Sequence, residues 1–207
     1  MRILMILDHE FPPDIRVENE IEALSEAGHE IHLACFTRKN RPEYEKDETC
    51  HIHRKAISGL VYKSSVAALT FPIYFKFWRR FISNLIRDFR IDAIHVHDLP
   101  LTEVAAGICR KNSIPLTIDL HENWPAYLRI STHTKSLAGR LLSPNKRWVE
   151  YEKRTLAAAD HIVVVVKEAA QRLINIGLDP DRIKVVSNTL NLKHFRITPA
   201  EKSSEDI

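Results

Sequence analysis

At 207 residues the chain is long enough for one well-covered core and too short for two large domains, so a single domain is expected. Thirty basic against 27 acidic residues leave a formal charge of +3, which is no footprint for nucleic acid, and the 44% hydrophobic content is that of an ordinary globular protein. Three cysteines, Cys35, Cys50 and Cys109, are odd in number, far apart and without a C-x-x-C pair, which argues against a disulfide framework or a zinc ribbon and fits a reducing cytoplasm.

The opening run, Arg2 to Leu7, is far shorter than the ~18 apolar residues a bilayer span needs, and it reads as a first strand rather than a signal. In "VENEIEALSEAG" the positions Val17, Ile21, Leu24 and Ala27 share one helical face, with Gly28 as the stop. Strands are then predicted at Ile31 to Phe36, His51 to Ala56, Ala93 to Val96, Leu116 to Asp119, His161 to Val166 and Ile183 to Val186. Helical period marks Leu101 to Asn112, Lys146 to Ala159 and Glu168 to Ile176, the last stopped by Gly177. Alternation of this kind predicts an α/β fold: a Rossmann-like parallel sheet with helices on both faces. No G-x-G-x-x-G follows the first strand, so a dinucleotide enzyme of the usual kind is not expected. The polar tail from residue 196 to 207 is expected to be a linker or frayed end, leaving 1–195 as the domain.

Between Arg54 and Arg90 eight basic residues stand against Asp88 alone, interleaved with Phe71, Ile73, Tyr74, Phe75, Phe77, Trp78, Phe81, Ile82, Leu85 and Ile86. A single core-facing stripe would strain to bury that load. Two readings stay open: a helix packed on the sheet with its arginines wet, and a basic amphipathic helix lying on an anionic membrane surface.

Titratable residues cluster where the predicted strands end, which is where open α/β sheets bind ligands. Asp8, His9 and Glu10 follow the first strand, and Asp14 and Arg16 lead into the first helix. That helix end offers either N–H groups and a forked cation for phosphate, or an Asp14 cap with Arg16 on the surface. His97 and Asp98 follow the fourth strand, while His95 reads as a satisfied core histidine. In "LTIDLHENWP", His121 stands two residues beyond Asp119, a carboxylate able to orient its imidazole for exchange with a bound hydroxyl, and Glu122 and Asn123 continue the same loop. Asn188 follows the last strand in "VVSNTLNLKHF", which by itself says only turn.

The pieces "ILMILDHEFPPDIRVENEIEALSEAGHEIHLACF", "DAIHVHDLP", "TIDLHENWP" and "ADHIVVVVKEAAQRLINIGLDPDRIKVVSNTLNLKHF", in this order and spacing, resemble the amino-terminal domain of a family 4 (group 1) retaining glycosyltransferase of the two-Rossmann GT-B architecture. The resemblance implies transfer of a sugar from a nucleotide-sugar donor to an acceptor hydroxyl, with no cofactor and no metal; a sugar or lipid-linked acceptor, in glycan or polysaccharide synthesis, is the expectation taken from the basic aromatic segment. It implies His121 beside the transferred sugar. Where the family commonly has a Gly-Gly pair facing the donor pyrophosphate, this chain has Asp14-Ile15-Arg16, so Arg16 is the expected phosphate contact; Asn188 matches the family's Pro-Asn segment, with Ser187 for the proline. The family's second, donor-binding domain is expected after Phe195, and the sequence reaches only Ile207, so the expectation is half of such an enzyme, cytoplasmic or peripheral on the inner face of the plasma membrane. Two other classes stay in view: a non-catalytic binding half that pairs with a separate chain, and a metal-dependent hydrolase built on His97, Asp98, Asp119 and His121.

Overall fold

The structure, a computed structural model, describes residues 1–130 and 143–189. Strands β1 (Arg2–Ile6), β2 (Glu30–Thr37), β3 (Tyr44–Lys46), β4 (Cys50–Ala56), β5 (Ala93–His97), β6 (Leu116–Leu120), β7 (His161–Val164) and β8 (Ile183–Val185) form one sheet in the order β3-β4-β2-β1-β5-β6-β7-β8. All neighbours are parallel except β3, which runs antiparallel to β4. That short edge strand was not expected from the sequence. The helices are α1 (Ile15–Glu26), α2 (Gly59–Lys63), α3 (Ile73–Phe89), α4 (Thr102–Asn112), α5 (Trp124–Ile130), α6 (Asn145–Leu156) and α7 (Lys167–Asn175). The expected domain end at 195 and the tail 196–207 lie outside the described residues.

Alternation along β1 sorts the core into two layers. Leu4 and Ile6 point to one face with Ile94, Val96, Leu116, Ile118, Ile162 and Val164, under α3, α4, α6 and α7. Ile3, Met5 and Leu7 point to the other with Ile31, Leu33, Cys35, Cys50 and Ile52, under Val17 and Ile21 of α1. Both faces therefore carry helices, but unequally: four of the described helices pack on the first layer, while on the second α1 reaches across β1 as far as His95 of β5 through Glu20. Asp14 starts α1 by accepting from the N–H groups of Arg16 and Val17, and Gly28, at φ 82°, ends it in the left-handed conformation glycine adopts without penalty.

The aromatic load of the basic segment is mostly buried. Tyr74, Phe75, Trp78, Ile82 and Leu85 of α3 pack into the larger core layer. Burying side chains of this size is worth roughly 1.5–3 kcal/mol each, enough to commit that stripe to the sheet. Phe71 and Ile73, at the start of the helix, remain exposed, and Lys76, Arg79, Arg80 and Arg87 line its wet side. No helix among the described residues is long and apolar enough to cross a membrane.

Candidate functional site at the strand tips

From β1 the chain turns one way to β2 and β4 and, after α3, the other way to β5 and onward. This reversal opens a crevice at the carboxyl ends of β1 and β5. Asp8 follows β1, Asp98 follows β5 and His121 follows β6, three adjacent strand tips. Asp98 sits at φ 61°, its N–H donating to the Asp119 carbonyl at 2.8 Å and its carboxylate accepting the His121 N–H at 3.3 Å. Those two bonds lock the tips of β5 and β6 together.

His95, His97 and Asp119 lie on the α1 side of the sheet, because β5 and β6 pair His95 with Thr117 and His97 with Asp119. Asp119 Oδ2 accepts from His121 Nε2 at 2.8 Å and also lies 3.5 Å from His97 Nδ1 and 3.8 Å from His95 Nε2. His95 Nε2 is 3.4 Å from Glu20 Oε2 of α1. Burial would raise the Asp119 carboxyl, but the hydrogen bond from His121, with the imidazoles of His95 and His97 close by, holds it well below the usual carboxylate range. Glu20 moves the opposite way: burial, then the adjacent Asp119 charge, push it up, which favours its protonated form beside the ionised Asp119. Burial drives His97 down to about 4, keeping it neutral. At His121 burial opposes the charged imidazole, yet the bond and charge of Asp119 outweigh it and raise the pKa. The Nδ1 of His121 is buried and has no hydrogen-bond partner among the described residues.

Arg16, Glu20, His95, Asp119, His121 and Asn188 line a hollow of about 510 Å³ on this side. The chain beyond β8 borders it, with Asn19 Nδ2 donating to the Thr189 carbonyl at 3.1 Å. Of the residues expected to bind substrate, Arg16 and Asn188 thus meet His121 at one hollow. Glu122 and Asn123 are exposed beside His121 on a neighbouring hollow of about 290 Å³, where Asn123 also caps α5 through the Ala126 N–H. Asp98 is held beneath the tips, its carboxyl raised by burial. Two expected binding residues are placed otherwise. Asp14 lines neither hollow: its carboxylate caps α1 and holds Arg16 Nη2 at 3.1 Å, so the helix end is not a free anion cradle. His97 has no solvent exposure, so it orients Asp119 and does not touch a ligand. His95, read as a core histidine, faces α1 and lines the hollow instead, and Glu20 had no marker in the sequence beyond its place on an amphipathic helix.

On the opposite side of the tips, Asp8, Tyr62, Tyr74, Trp124, Tyr127 and Trp148 line a second hollow of about 380 Å³. Tyr74 donates its hydroxyl to Asp8. Burial pushes the Asp8 carboxyl up to about 7, against the lowering effect of that bond. Trp124 Nε1 has no hydrogen-bond partner among the described residues. A carboxyl poised at neutral pH and an unused indole N–H thus face an aromatic-walled space.

The metal-dependent alternative gains nothing from this arrangement. The donor atoms that converge within 4.8 Å are those of Glu20, His95, His97 and Asp119, not the set with Asp98 and His121. Asp98 is occupied by the His121 N–H and His97 is sealed from solvent, so two of the four residues that reading relied on are not turned toward the hollow.

A doubly wound sheet with polar strand tips at its switch point defines a Rossmann-like α/β domain, the half-unit of the GT-B fold. The model of Glycosyltransferase Family 4 matches residues 15–194, and the chain belongs to that family. No curated protein matches it in sequence. Among solved structures it is similar to sucrose-phosphate synthase from Thermosynechococcus elongatus, with TM-score 0.68 at 17% identity over 93% of this chain and 49% of that one. It is similar to an α,α-trehalose-phosphate synthase (UDP-forming) from Burkholderia vietnamiensis, with TM-score 0.56 at 15% identity over 84% of this chain and 42% of that one. A UDP-GlcNAc 2-epimerase from Methanocaldococcus jannaschii gives TM-score 0.57 at 15% identity, covering 91% of this chain and 46% of that one. At these identities the likeness is one of fold, and the chain spans about half the length of the structures it matches.

Proposed function

We propose that the chain is the acceptor-side half, spanning 1–195, of a retaining glycosyltransferase that moves a sugar from a nucleotide-sugar donor to an acceptor hydroxyl, with a second Rossmann-like domain supplying most of the donor's binding site. The observation that carries this reading is the buried, unpartnered Nδ1 of His121, set at a hollow shared with Arg16 and Asn188. Asp119 fixes the imidazole through Nε2 and favours its charged form, so Nδ1 is left to donate to an oxygen of the transferred sugar. As the bond from the anomeric carbon to the diphosphate breaks, negative charge grows on the departing oxygen, and Arg16 and imidazolium His121 are the cations beside it. The acceptor enters from the aromatic-walled hollow, where sugar faces stack on Trp124 and Tyr127, and Asp8 takes the proton of its hydroxyl.

The test joins the chain to a second domain of the same family and follows nucleoside diphosphate release. Release should depend on acceptor, and His121→Ala should slow it by about 10²–10⁴-fold in protein that circular dichroism shows still folded, the stranded Asp119 carboxylate costing about 3 kcal/mol of stability. Undiminished release from His121→Ala would refute the assignment.

A membrane-facing placement is supported by a separate observation. Lys76, Arg79 and Arg80 line the wet side of α3, and Phe71 and Ile73 are exposed at its amino-terminal end. A lipid-linked acceptor in an anionic leaflet fits that surface.

A further inference from the structure

At the other end of the sheet, remote from the strand tips, three histidines gather where the sequence reading saw only strands. Glu30 and His32 are two apart on β2 and so share a face, and the register places His51 of β4 directly opposite His32. We propose that Glu30, His32 and His51 form a binding site for a divalent transition-metal ion, zinc being the best match. This inference is independent of the transfer reading.

The geometry fits the ion. Glu30 Oε1 lies 3.0 Å from His32 Nε2 and 3.9 Å from His51 Nε2, and one donor atom of each residue falls within 4.8 Å of the others. Bonds of about 2.0–2.1 Å in a tetrahedron set donor atoms roughly 3.3 Å apart, a value these separations bracket. Two imidazoles and one carboxylate form a nitrogen–oxygen donor set suited to zinc rather than to calcium or magnesium, which prefer all-oxygen shells. Glu30 is half exposed, so a water can complete the shell from solvent.

The surroundings complete the argument. A metal-bound imidazole needs a partner for its other ring nitrogen, and both have one: His32 Nδ1 lies 3.0 Å from His53 Nε2, and His51 Nδ1 lies 2.9 Å from the Tyr44 hydroxyl. Each partner both donates and accepts. Without an ion, His32 gives its Nε2 proton to Glu30 and receives one from His53. With an ion, both rings change tautomer: His32 gives up its Nε2 proton and carries one on Nδ1, His53 moves its proton from Nε2 to Nδ1 so that its Nε2 accepts the His32 Nδ1–H, and the Nδ1–H of His51 donates to Tyr44. The rings of His32 and His51 are stacked, 4.6 Å between centroids and 17° from parallel, so binding an ion turns the two Nε2 tips toward one another, while Phe89 of α3, 4.9 Å from His32, backs that ring. Arg2 is the neighbouring cation, and its guanidinium is engaged by Asp92 at 3.1 Å.

The experiment uses the 207-residue chain without a polyhistidine tag, stripped by chelator, titrated with zinc by calorimetry and with cobalt(II) by visible absorption. One equivalent of each should bind at micromolar concentration, with the cobalt bands of a four-coordinate site and no thiolate charge transfer. Glu30→Gln and His51→Gln should abolish that binding, Tyr44→Phe should weaken it about tenfold, and His95→Gln, in the cluster beneath α1, should leave it intact. Far-UV circular dichroism verifies folding of each variant, and Glu30 is exposed enough for Glu30→Gln to be tolerated. Absence of micromolar binding by the unaltered chain, full binding by both ligand variants, or binding that disappears with His95→Gln would each overturn the proposal.

Discussion

Replacing Asp8 by Asn should stabilise the fold at alkaline pH and abolish it as a proton acceptor. The carboxyl's pKa is raised from 3.8 to about 7, chiefly by burial. At ~1.4 kcal/mol per unit, keeping it ionised in the folded state costs about 4 kcal/mol, and because it borders an open hollow, water there reduces the realistic figure to about 2 kcal/mol. The pH dependence has a definite sign. Between pH 4 and 7 the unfolded chain has released this proton and the native state retains it, so wild-type stability falls as pH rises through that window. Asn at position 8 still accepts the Tyr74 hydroxyl bond and has no such slope. Urea denaturation of both proteins at steps from pH 4.5 to 8.5 should therefore show a stability difference that is small at the acid end, grows toward neutrality and levels off above pH 7. The same variant, joined to a second domain, should lose about 10²-fold or more in transfer, a stability gain bought at the site. A stability difference flat with pH, or a less stable variant at pH 8, would refute the reasoning.

Asp119→Asn removes the negative charge that favours imidazolium His121, so the His121 imidazole should titrate at lower pH than in the wild type by NMR, with a stability cost of about 3 kcal/mol near pH 6; an unmoved His121 titration would contradict the network. Arg172→Met strands the Glu152 carboxylate, which is 2% exposed and receives two bonds of 2.8 Å from that arginine, and should cost about 3–5 kcal/mol in denaturant midpoint analysis, largely restored by adding Glu152→Gln. The chain should co-sediment with anionic liposomes and be released as salt shortens the Debye length below ~8 Å; Lys76→Glu with Arg79→Glu and Arg80→Glu should abolish retention, and equal retention on neutral vesicles would remove the electrostatic contribution.

The central strands were legible because strands buried on both faces, such as "RILMI" and "IHLACF", read as unbroken aliphatic runs. The edge strand β3, "YEK", has all three residues exposed and so carries no burial pattern to read. Helix α5 hid behind its opening Trp124-Pro125, which resembles a loop, although proline is compatible with a first helical turn. At the site, His121, Arg16 and Asn188 could be singled out from strand-end position and family resemblance. Glu20 could not, because its meeting with Asp119 depends on which strands lie beside α1. His97 misleads for the related reason that strand-end position does not reveal which side chain stays below the surface.

Arg54, only 2% exposed, donates to the Phe11 carbonyl at 3.1 Å, and Arg41 donates to the Phe11 and Pro12 carbonyls at 2.7 Å each. Two guanidinium groups from the β4 side thereby grip the backbone between Asp8 and Arg16. The rim of the crevice is ordered during folding rather than upon encounter, so a ligand arriving there meets a shape already set and loses little affinity to disciplining a loose segment.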